Sequence, residues 1–167
     1  MDVKERLKLI TWGEPEDFTK KKISFRVFYS GVRDFLMENF RGAVNLEENI
    51  TSSEYLLISP DGVAFLFKCI LNAVYGDTVV NINIASAGKT FTITFDWKKL
   101  RPLTESEIIT LTRISKLSGF SVEIKDSDEK IEVLLSTEAK IYDYLSIYAP
   151  TLVNEVEKAF HRIFYLT

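Results

Sequence analysis

The sequence predicts an α/β (α+β) two-layer sandwich, in which a mixed, largely antiparallel sheet is covered on one face by helices. The first observation is a hairpin: apolar and polar residues alternate over 78–85 and again over 90–97, with Gly88 at the turn. The second is the order of the elements along the chain: one helical segment directly precedes this hairpin, and another directly precedes a second hairpin. The third is size: 167 residues with 46% hydrophobic content suffice for one well-packed domain.

The first forty residues are predicted to form an arm and a helix. Residues 1–20 are polar and irregular, with Gly13 and Pro15, which indicates an arm or a short capping helix. Residues 21–40 carry apolar side chains at helical spacing, and Gly42 ends this helix. The apolar stripe consists of Phe25, Phe28, Val32, Phe35, Leu36 and Phe40. Two short strands, 43–50 and 55–58, then follow around an Asn/Thr/Ser turn.

The next helix is almost entirely apolar, and its start is well marked. Ser59 is the predicted N-cap, Pro60 occupies the first helical position, and Gly76 ends the helix. Because so few positions are polar, several sides of this helix should be covered. Lys68 and Asn72 are the exceptions, one turn apart on the same side. That side either contacts solvent or a neighbouring loop, or it carries a function.

A third helix and a second hairpin follow a break at residues 101–102. Thr104 and Glu107 form a capping box, and Gly119 supplies the helix stop. Strands are predicted over 120–125 and 130–136, joined by a turn at 126–129. The residues predicted to face inward from the helix are Ile108, Leu111, Ile114 and Leu117.

The C-terminal segment is predicted to be helical, with Pro150 dividing it and Thr151 capping the last helix. The apolar stripe of that helix either docks on the sheet or helps to form a dimer, and docking is the default. The stripe consists of Leu152, Val156, Ala159, Phe160 and Ile163, while Tyr142, Tyr144 and Tyr148 offer a possible contact surface. Three regions in one compact unit result: an arm and helix over 1–41, the sandwich over 42–137, and the helical tail over 138–167.

Composition excludes several classes of function. The net charge is −3 and the longest cationic run is 20–22, so nucleic-acid binding is not predicted. Cys69 is the single cysteine, which excludes an internal disulfide and indicates a buried thiol in a reducing compartment. His161 is the single histidine and has no evident partner for a metal site or a nucleophilic triad. Neither a signal peptide nor a membrane span is recognisable, so a cytoplasmic location is expected.

The order of these elements resembles the ATP-binding domain of sensor histidine kinases and their GHKL relatives, the Bergerat fold. Residues 61–73, which end in Ile-Leu-Asn-Ala, are similar to the N-box of that family. Residues 114–124 resemble its late helix, glycine and strand, and 130–136 its final strand. The resemblance spans roughly 44–137 and implies a histidine-kinase ATPase-like fold.

The resemblance also implies roles for particular residues. The N-box asparagine of the family orients Mg²⁺ on the phosphates, and Asn72 matches it. Branches that hydrolyse ATP directly carry a glutamate four residues earlier, where this chain has Lys68, a cation that cannot accept a proton. The family's adenine-binding aspartate ends the second hairpin strand. Strand parity places Trp97 there and points Asp96 to the opposite face.

The family's glycines are missing as well, because none occurs between Trp97 and Gly119, and residues 98–103 are too few for an ATP lid. An indole in the adenine site would exclude the ligand by its bulk. The predicted site is therefore a vestigial or altered nucleotide pocket of Asn72, Lys68 and Lys98, blocked by Trp97. No cofactor is expected, and Asn72 is assigned to local hydrogen bonding, with Mg²⁺ ligation as the alternative.

The predicted function is a non-catalytic, cytoplasmic regulatory or protein-interaction domain that acts in signal transduction with an unidentified protein partner. The family resemblance implies a homodimer through the helix over 21–40, although no histidine there could accept a phosphoryl group. The alternative is a kinase-like enzyme or a protein that binds ATP or another phosphate ligand through Lys68, Lys98 and Lys99. A third hypothesis is an unrelated α/β binding domain of similar architecture.

Overall fold

The computed structural model describes residues 18–51, 54–74, 78–138 and 154–165. Its helices are α1 (Phe25–Asn39), α2 (Pro60–Ala73), α3 (Glu105–Ser118) and α4 (Glu155–Phe164). Its strands are β1 (Lys21–Ser24), β2 (Val44–Asn49), β3 (Tyr55–Ile58), β4 (Val80–Ala87), β5 (Thr90–Lys98), β6 (Ser121–Asp126) and β7 (Lys130–Glu138). The predictions for the arm, Gly76, Tyr142, Tyr144, Tyr148, Pro150 and Leu152 lie outside the described residues.

The main sheet has five strands in the order β2-β4-β5-β7-β6. Strand β2 runs parallel to β4, and the other three pairings are antiparallel, which confirms the mixed, largely antiparallel sheet. Both strands predicted before α2 form, but they do not pair with each other. Instead β3 pairs with β1 in a separate two-stranded sheet, and β2 pairs with β4.

Helices cover one face of the main sheet. Every second residue of β5 is buried beneath them, namely Phe91, Ile93, Phe95 and Trp97. The contacts between helices place them side by side in the order α1, α4, α2, α3. Polar side chains occupy the opposite face, where Asn81 donates a hydrogen bond to Asp96 at 2.9 Å. The predicted two-layer sandwich is thus confirmed.

Three local predictions are wrong. Residues 21–24 form a strand instead of the first turn of a helix, because β3 offers a pairing partner and Ser24 caps α1 by accepting from the Val27 N–H. Asn154, not Thr151, caps α4, since its side-chain oxygen accepts from two backbone N–H groups of the first turn. Ile108 is 37% exposed, because the buried face of α3 begins only at Leu111.

Candidate functional site

Helix α2 lies at the centre of the candidate site and is fixed in place by its first turn. The Ser59 hydroxyl accepts from the Gly62 N–H at 3.1 Å, as predicted for an N-cap. Gly62 also lets α3 cross closely, because a Cβ there would lie 2.7 Å from Phe18 Cδ1 and 2.8 Å from Ser118 Cβ. The start of α2 is therefore held against the end of α3, and the rest of α2 runs between α3 and α4.

Lys68 projects from α2 toward the last turn of α4. Its Nζ donates to the carbonyl oxygens of Ile163 at 2.9 Å and Phe164 at 2.8 Å, and it lies 5.9 Å from the Phe164 ring centre. Carbonyls in the last turn of a helix lack partners within that helix and carry its negative dipole end, so an ammonium suits them. The side chain is 8% exposed, and burial lowers the pKa of Lys68. This lysine is a link between two helices.

Asn72 lies one turn farther along α2 and is exposed. Its side chain makes no hydrogen bond with the part of the chain that the structure describes, so the local hydrogen bonding predicted for it is not found there. Of the two polar residues on this side of α2, only Lys68 is held in place by α4.

Strand β5 places Trp97 and Asp96 on opposite faces, as strand parity predicts. Trp97 is 3% exposed, lies opposite Ile131 of β7, and belongs to the core under the helices. By the same alternation Lys98 shares the open face with Asp96, whereas Lys68 lies in the helix layer. The two lysines predicted for the pocket thus lie in different layers of the sandwich.

The connection from β5 to α3 stands where the family resemblance places a lid, and it is short and tied at both ends. The Lys99 N–H donates to the Glu129 carbonyl at 2.9 Å. The Arg101 guanidinium donates two hydrogen bonds to Glu107, at 2.8 and 2.9 Å, and this contact lowers the pKa of Glu107. Glu107 and Thr104 complete the predicted capping box. A segment held in this way is unlike a mobile cover.

Cys69, next to Lys68, supplies no nucleophile. Burial, with a smaller effect of Glu107, raises the pKa of its thiol to about 12. The thiolate is the reactive form of cysteine, so this side chain is a small apolar group at neutral pH. Judged by its exposed surface, Cys69 is only partly buried and packs against the core, so the predicted burial of the thiol holds in part.

His161 has two acidic neighbours in the fold, although no partner for it was evident from the sequence. Its Nε2 lies 3.8 Å from Glu38 Oε2 of α1 and 3.7 Å from Glu157 Oε1 of α4. The spacing of four residues between Glu157 and His161 is a signal that the sequence contains. Glu38 could not be found in this way, because it is far away in the chain.

The apolar stripe of α1 packs inside the same chain, against β5 and α4. Phe25 and Phe28 contact Phe91, and Phe35 contacts Phe160. The homodimer that the resemblance implied through 21–40 therefore cannot use this stripe while the chain keeps this fold. Helix α4 docks within the chain, as expected by default, but its main contacts are with α1 and α2 in the helix layer and not with the sheet. Among the described residues, no helix is both long and apolar enough to cross a membrane.

Comparison with known proteins shows a likeness to histidine kinases at the level of the fold. The cytoplasmic segment of histidine kinase QseC matches over 84% of this chain and 97% of its own, with 12% identity and a TM-score of 0.51. The histidine kinase domain of the E. coli osmosensor EnvZ matches over 80% and 95%, with 9% identity and a TM-score of 0.52.

Histidine kinase ThkA, solved in complex with the response regulator TrrA, matches over 81% of this chain and 47% of its own, with 8% identity and a TM-score of 0.58. No protein-family model matches the sequence, and no curated protein matches it. The chain has the histidine kinase-like ATPase fold, and the resemblance found in its sequence is confirmed at that level.

Proposed function

We propose that this chain is a non-catalytic regulatory or protein-interaction domain of a signalling system, derived from a histidine kinase-like ATPase fold that has lost ATP binding. The observation that carries the proposal is the position of Lys68. Its ammonium group stands where ATP-hydrolysing branches of the resembling family carry a glutamate, and it donates to two carbonyl oxygens of α4. A general base must accept a proton, and a protonated amine cannot.

The residues around β5 support the same conclusion. By strand parity Trp97 takes the place that the resembling family gives to its adenine-binding aspartate. Trp97 is packed in the core, so in this proposal an adenine ring could enter only by displacing the indole. Asp96, the nearest carboxylate in the strand, lies on the other face and is bonded to Asn81. Burial of an aromatic side chain contributes roughly 2–3 kcal/mol, which a nucleotide would have to offset before it gained any affinity.

In this proposal the domain acts by binding a protein partner. ThkA was solved in complex with a response regulator. We therefore propose a receiver protein of that class as the first partner to test, in the cytoplasm. Purified receiver domains from the same source organism would be titrated against the full chain by calorimetry, with an unrelated domain of the same size as the control.

Nucleotide binding is tested directly by titrating the full chain with ATP and Mg²⁺. We expect no saturable binding up to about 1 mM, which corresponds to less than about 4 kcal/mol of binding free energy. Asn72→Ala is the matched variant, since Asn72 is exposed and its replacement leaves the core intact. Saturable micromolar binding that disappears in Asn72→Ala would overturn the proposal and favour the alternative, a phosphate-ligand protein with an altered pocket.

A further inference from the structure

We infer that Glu38, Glu157 and His161 form a binding site for one divalent cation of the Zn²⁺ type, which fastens the C-terminal helix α4 to α1. One ligand atom from each residue lies within 4.8 Å of the other two. This inference does not depend on the proposed function, because the site lies on the α1–α4 seam and not at Lys68 or Trp97.

The three side chains are brought together by packing. Glu157 and His161 are one turn apart on α4 and so project from the same face. Glu38 comes from the last turn of α1, which runs beside α4. The imidazole ring of His161 is flanked by Phe35, edge-on at 5.0 Å between ring centres, and by Tyr165, stacked at 6.0 Å. The two aromatic neighbours hold the ring with Nε2 toward the carboxylates.

The contact between α1 and α4 is also fixed at the opposite end of the two helices from Glu38 and His161. The Asn154 side chain donates to the Val27 carbonyl of α1 at 2.8 Å while it caps α4. Gly31 allows this approach, because a Cβ there would lie 2.9 Å from the Glu157 backbone nitrogen. This contact holds the two helices together at that end, which keeps Glu38 and His161 within reach of each other in the folded chain.

The distances between the ligand atoms leave room for a metal ion among them. The Nε2–oxygen separations of 3.8 and 3.7 Å are longer than hydrogen bonds. Zinc bonds of roughly 2.0–2.2 Å in tetrahedral geometry separate neighbouring ligand atoms by about 3.4 Å. The two Nε2–oxygen pairs would therefore close by a few tenths of an ångström, and the two carboxylates, which lie within 4.8 Å of each other, would close further by rotation of the exposed Glu38 side chain. Water would take the fourth position, since the described residues supply three ligands.

The ligand set selects the class of cation. An imidazole nitrogen with two carboxylates suits Zn²⁺, Co²⁺ and Ni²⁺, whereas Mg²⁺ and Ca²⁺ prefer sets made only of oxygen. The two carboxylates also balance the charge of the ion. All three side chains are reachable from solvent, Glu38 at 64% exposure, so the ion can enter and leave without unfolding.

The test is a titration of the metal-free full chain with Zn²⁺ and with Co²⁺, followed by calorimetry, by visible absorption and by the imidazole NMR signals. His161 is the only histidine, so those signals report this site alone. We expect one ion per chain with micromolar affinity, tetrahedral Co²⁺ bands and shifted imidazole resonances. At about 100 times the dissociation constant, Zn²⁺ should raise Tm by roughly 5–10 °C.

Matched variants separate this site from other carboxylates of the chain. Glu38→Gln should weaken Zn²⁺ binding at least about tenfold and abolish the rise in Tm. The Glu38 side chain is exposed, so this variant should fold normally and a loss of Zn²⁺ binding would not be due to unfolding. His161→Gln is less suitable, because the His161 ring is packed between aromatic side chains. Glu155→Gln makes the same charge change on α4 but leaves the three ligands intact, since Glu155 pairs with Lys21 at 3.1 Å. Equal loss in both variants, or unchanged imidazole signals at saturating Zn²⁺, would overturn the inference.

Discussion

The two flanks of helix α2 are built in opposite ways. On one flank α3 crosses at Gly62 and Ser118, where small residues let the backbones approach. On the other flank α4 packs through large rings, with Phe160 lying 5.0 Å from Phe67 between ring centres, and through the Lys68 ammonium group. The α3 flank depends on small side chains that allow a close approach of the helices, whereas the α4 flank depends on large aromatic side chains and on one buried charge.

The two flanks therefore have different structural roles: the α3 flank belongs to the core fold, and the α4 flank covers the other side of α2. The α3 flank joins elements that follow one another in the order of the resembling kinases, from α2 through the hairpin to α3. The α4 flank comes from the C-terminal segment, which returns to cover the side of α2 that carries Lys68. We therefore expect damage at the α3 flank to unfold the whole chain, and damage at the α4 flank to release α4 while the sheet stays folded.

Phe160→Ala should have the largest effect. Phe160 is fully buried and contacts Phe35, Phe67 and Phe164, so its truncation should destabilise the docked α4 by about 4 kcal/mol. Hydrogen exchange should show lost protection in α4 and retained protection in β4 and β5. Lys158→Ala, at an exposed position of α4, is the control and should change little. Equal loss of protection across the sheet would mean that the two flanks are not separable.

Gly62→Ala should come next, with about 3 kcal/mol lost from the free energy of unfolding, because the new Cβ would clash with Ser118 Cβ and the Phe18 ring. Urea denaturation followed by circular dichroism measures the loss, which should be global. Ser118→Gly removes one of the two clashing groups. The double variant should therefore be more stable than the sum of the single changes by over about 1 kcal/mol. Strict additivity would show that the helices do not touch there in solution.

The α3 flank was largely predictable from the sequence, because its signals are local. The Ser59 cap, the Thr104 capping box and the Gly119 stop each depend on neighbours within a few residues, and all three occur as predicted. Parity along β5 likewise assigned Trp97 to the core and Asp96 to the open face. Short-range hydrogen bonds and strand alternation leave little freedom, so the sequence determines them directly.

The α4 flank was predictable only in part. The apolar stripe of α4 predicted docking, but no pattern identifies the carbonyl oxygens of Ile163 and Phe164 as the acceptors for Lys68, because backbone atoms have no sequence signature. The approach of Glu38 to His161 likewise joins residues far apart in the chain. Strand β1 was missed for the same reason: its pairing partner β3 overrides the helical spacing that continues from α1.

The thiol of Cys69 reports on the α3 flank through pH. In the folded chain its pKa is raised to about 12 from 9.0, so above pH 9 the unfolded chain loses the proton first and binds fewer protons. The free energy of unfolding therefore falls as pH rises, by about 2 kcal/mol between pH 8 and pH 10.5. Urea denaturation of the wild type and of Cys69→Ala at pH 8 and pH 10.5 isolates this contribution, since other groups titrate in both proteins. An identical pH dependence would place the thiol in water.

Lys68→Met should have the smallest effect and tests the attachment of α4 to α2. Methionine keeps the apolar stem but leaves two carbonyl oxygens of α4 without their Lys68 donor. The docked α4 should therefore lose about 1.5 kcal/mol of stability. The loss should appear as faster hydrogen exchange in the last turn of α4, with β5 unaffected. Lys158→Met removes the same charge from an exposed position of α4 and serves as the control.

The effect of Lys68→Met should also depend on pH. Burial lowers the pKa of Lys68, so the unfolded chain binds the proton more tightly than the folded chain does. The penalty of burying the charge is therefore present at neutral pH and is relieved as pH rises through the folded pKa. The stability difference between wild type and Lys68→Met should accordingly grow in favour of the wild type at alkaline pH. A difference that shrinks there would mean that the ammonium charge itself, and not its hydrogen bonds and stem, holds α4 against α2.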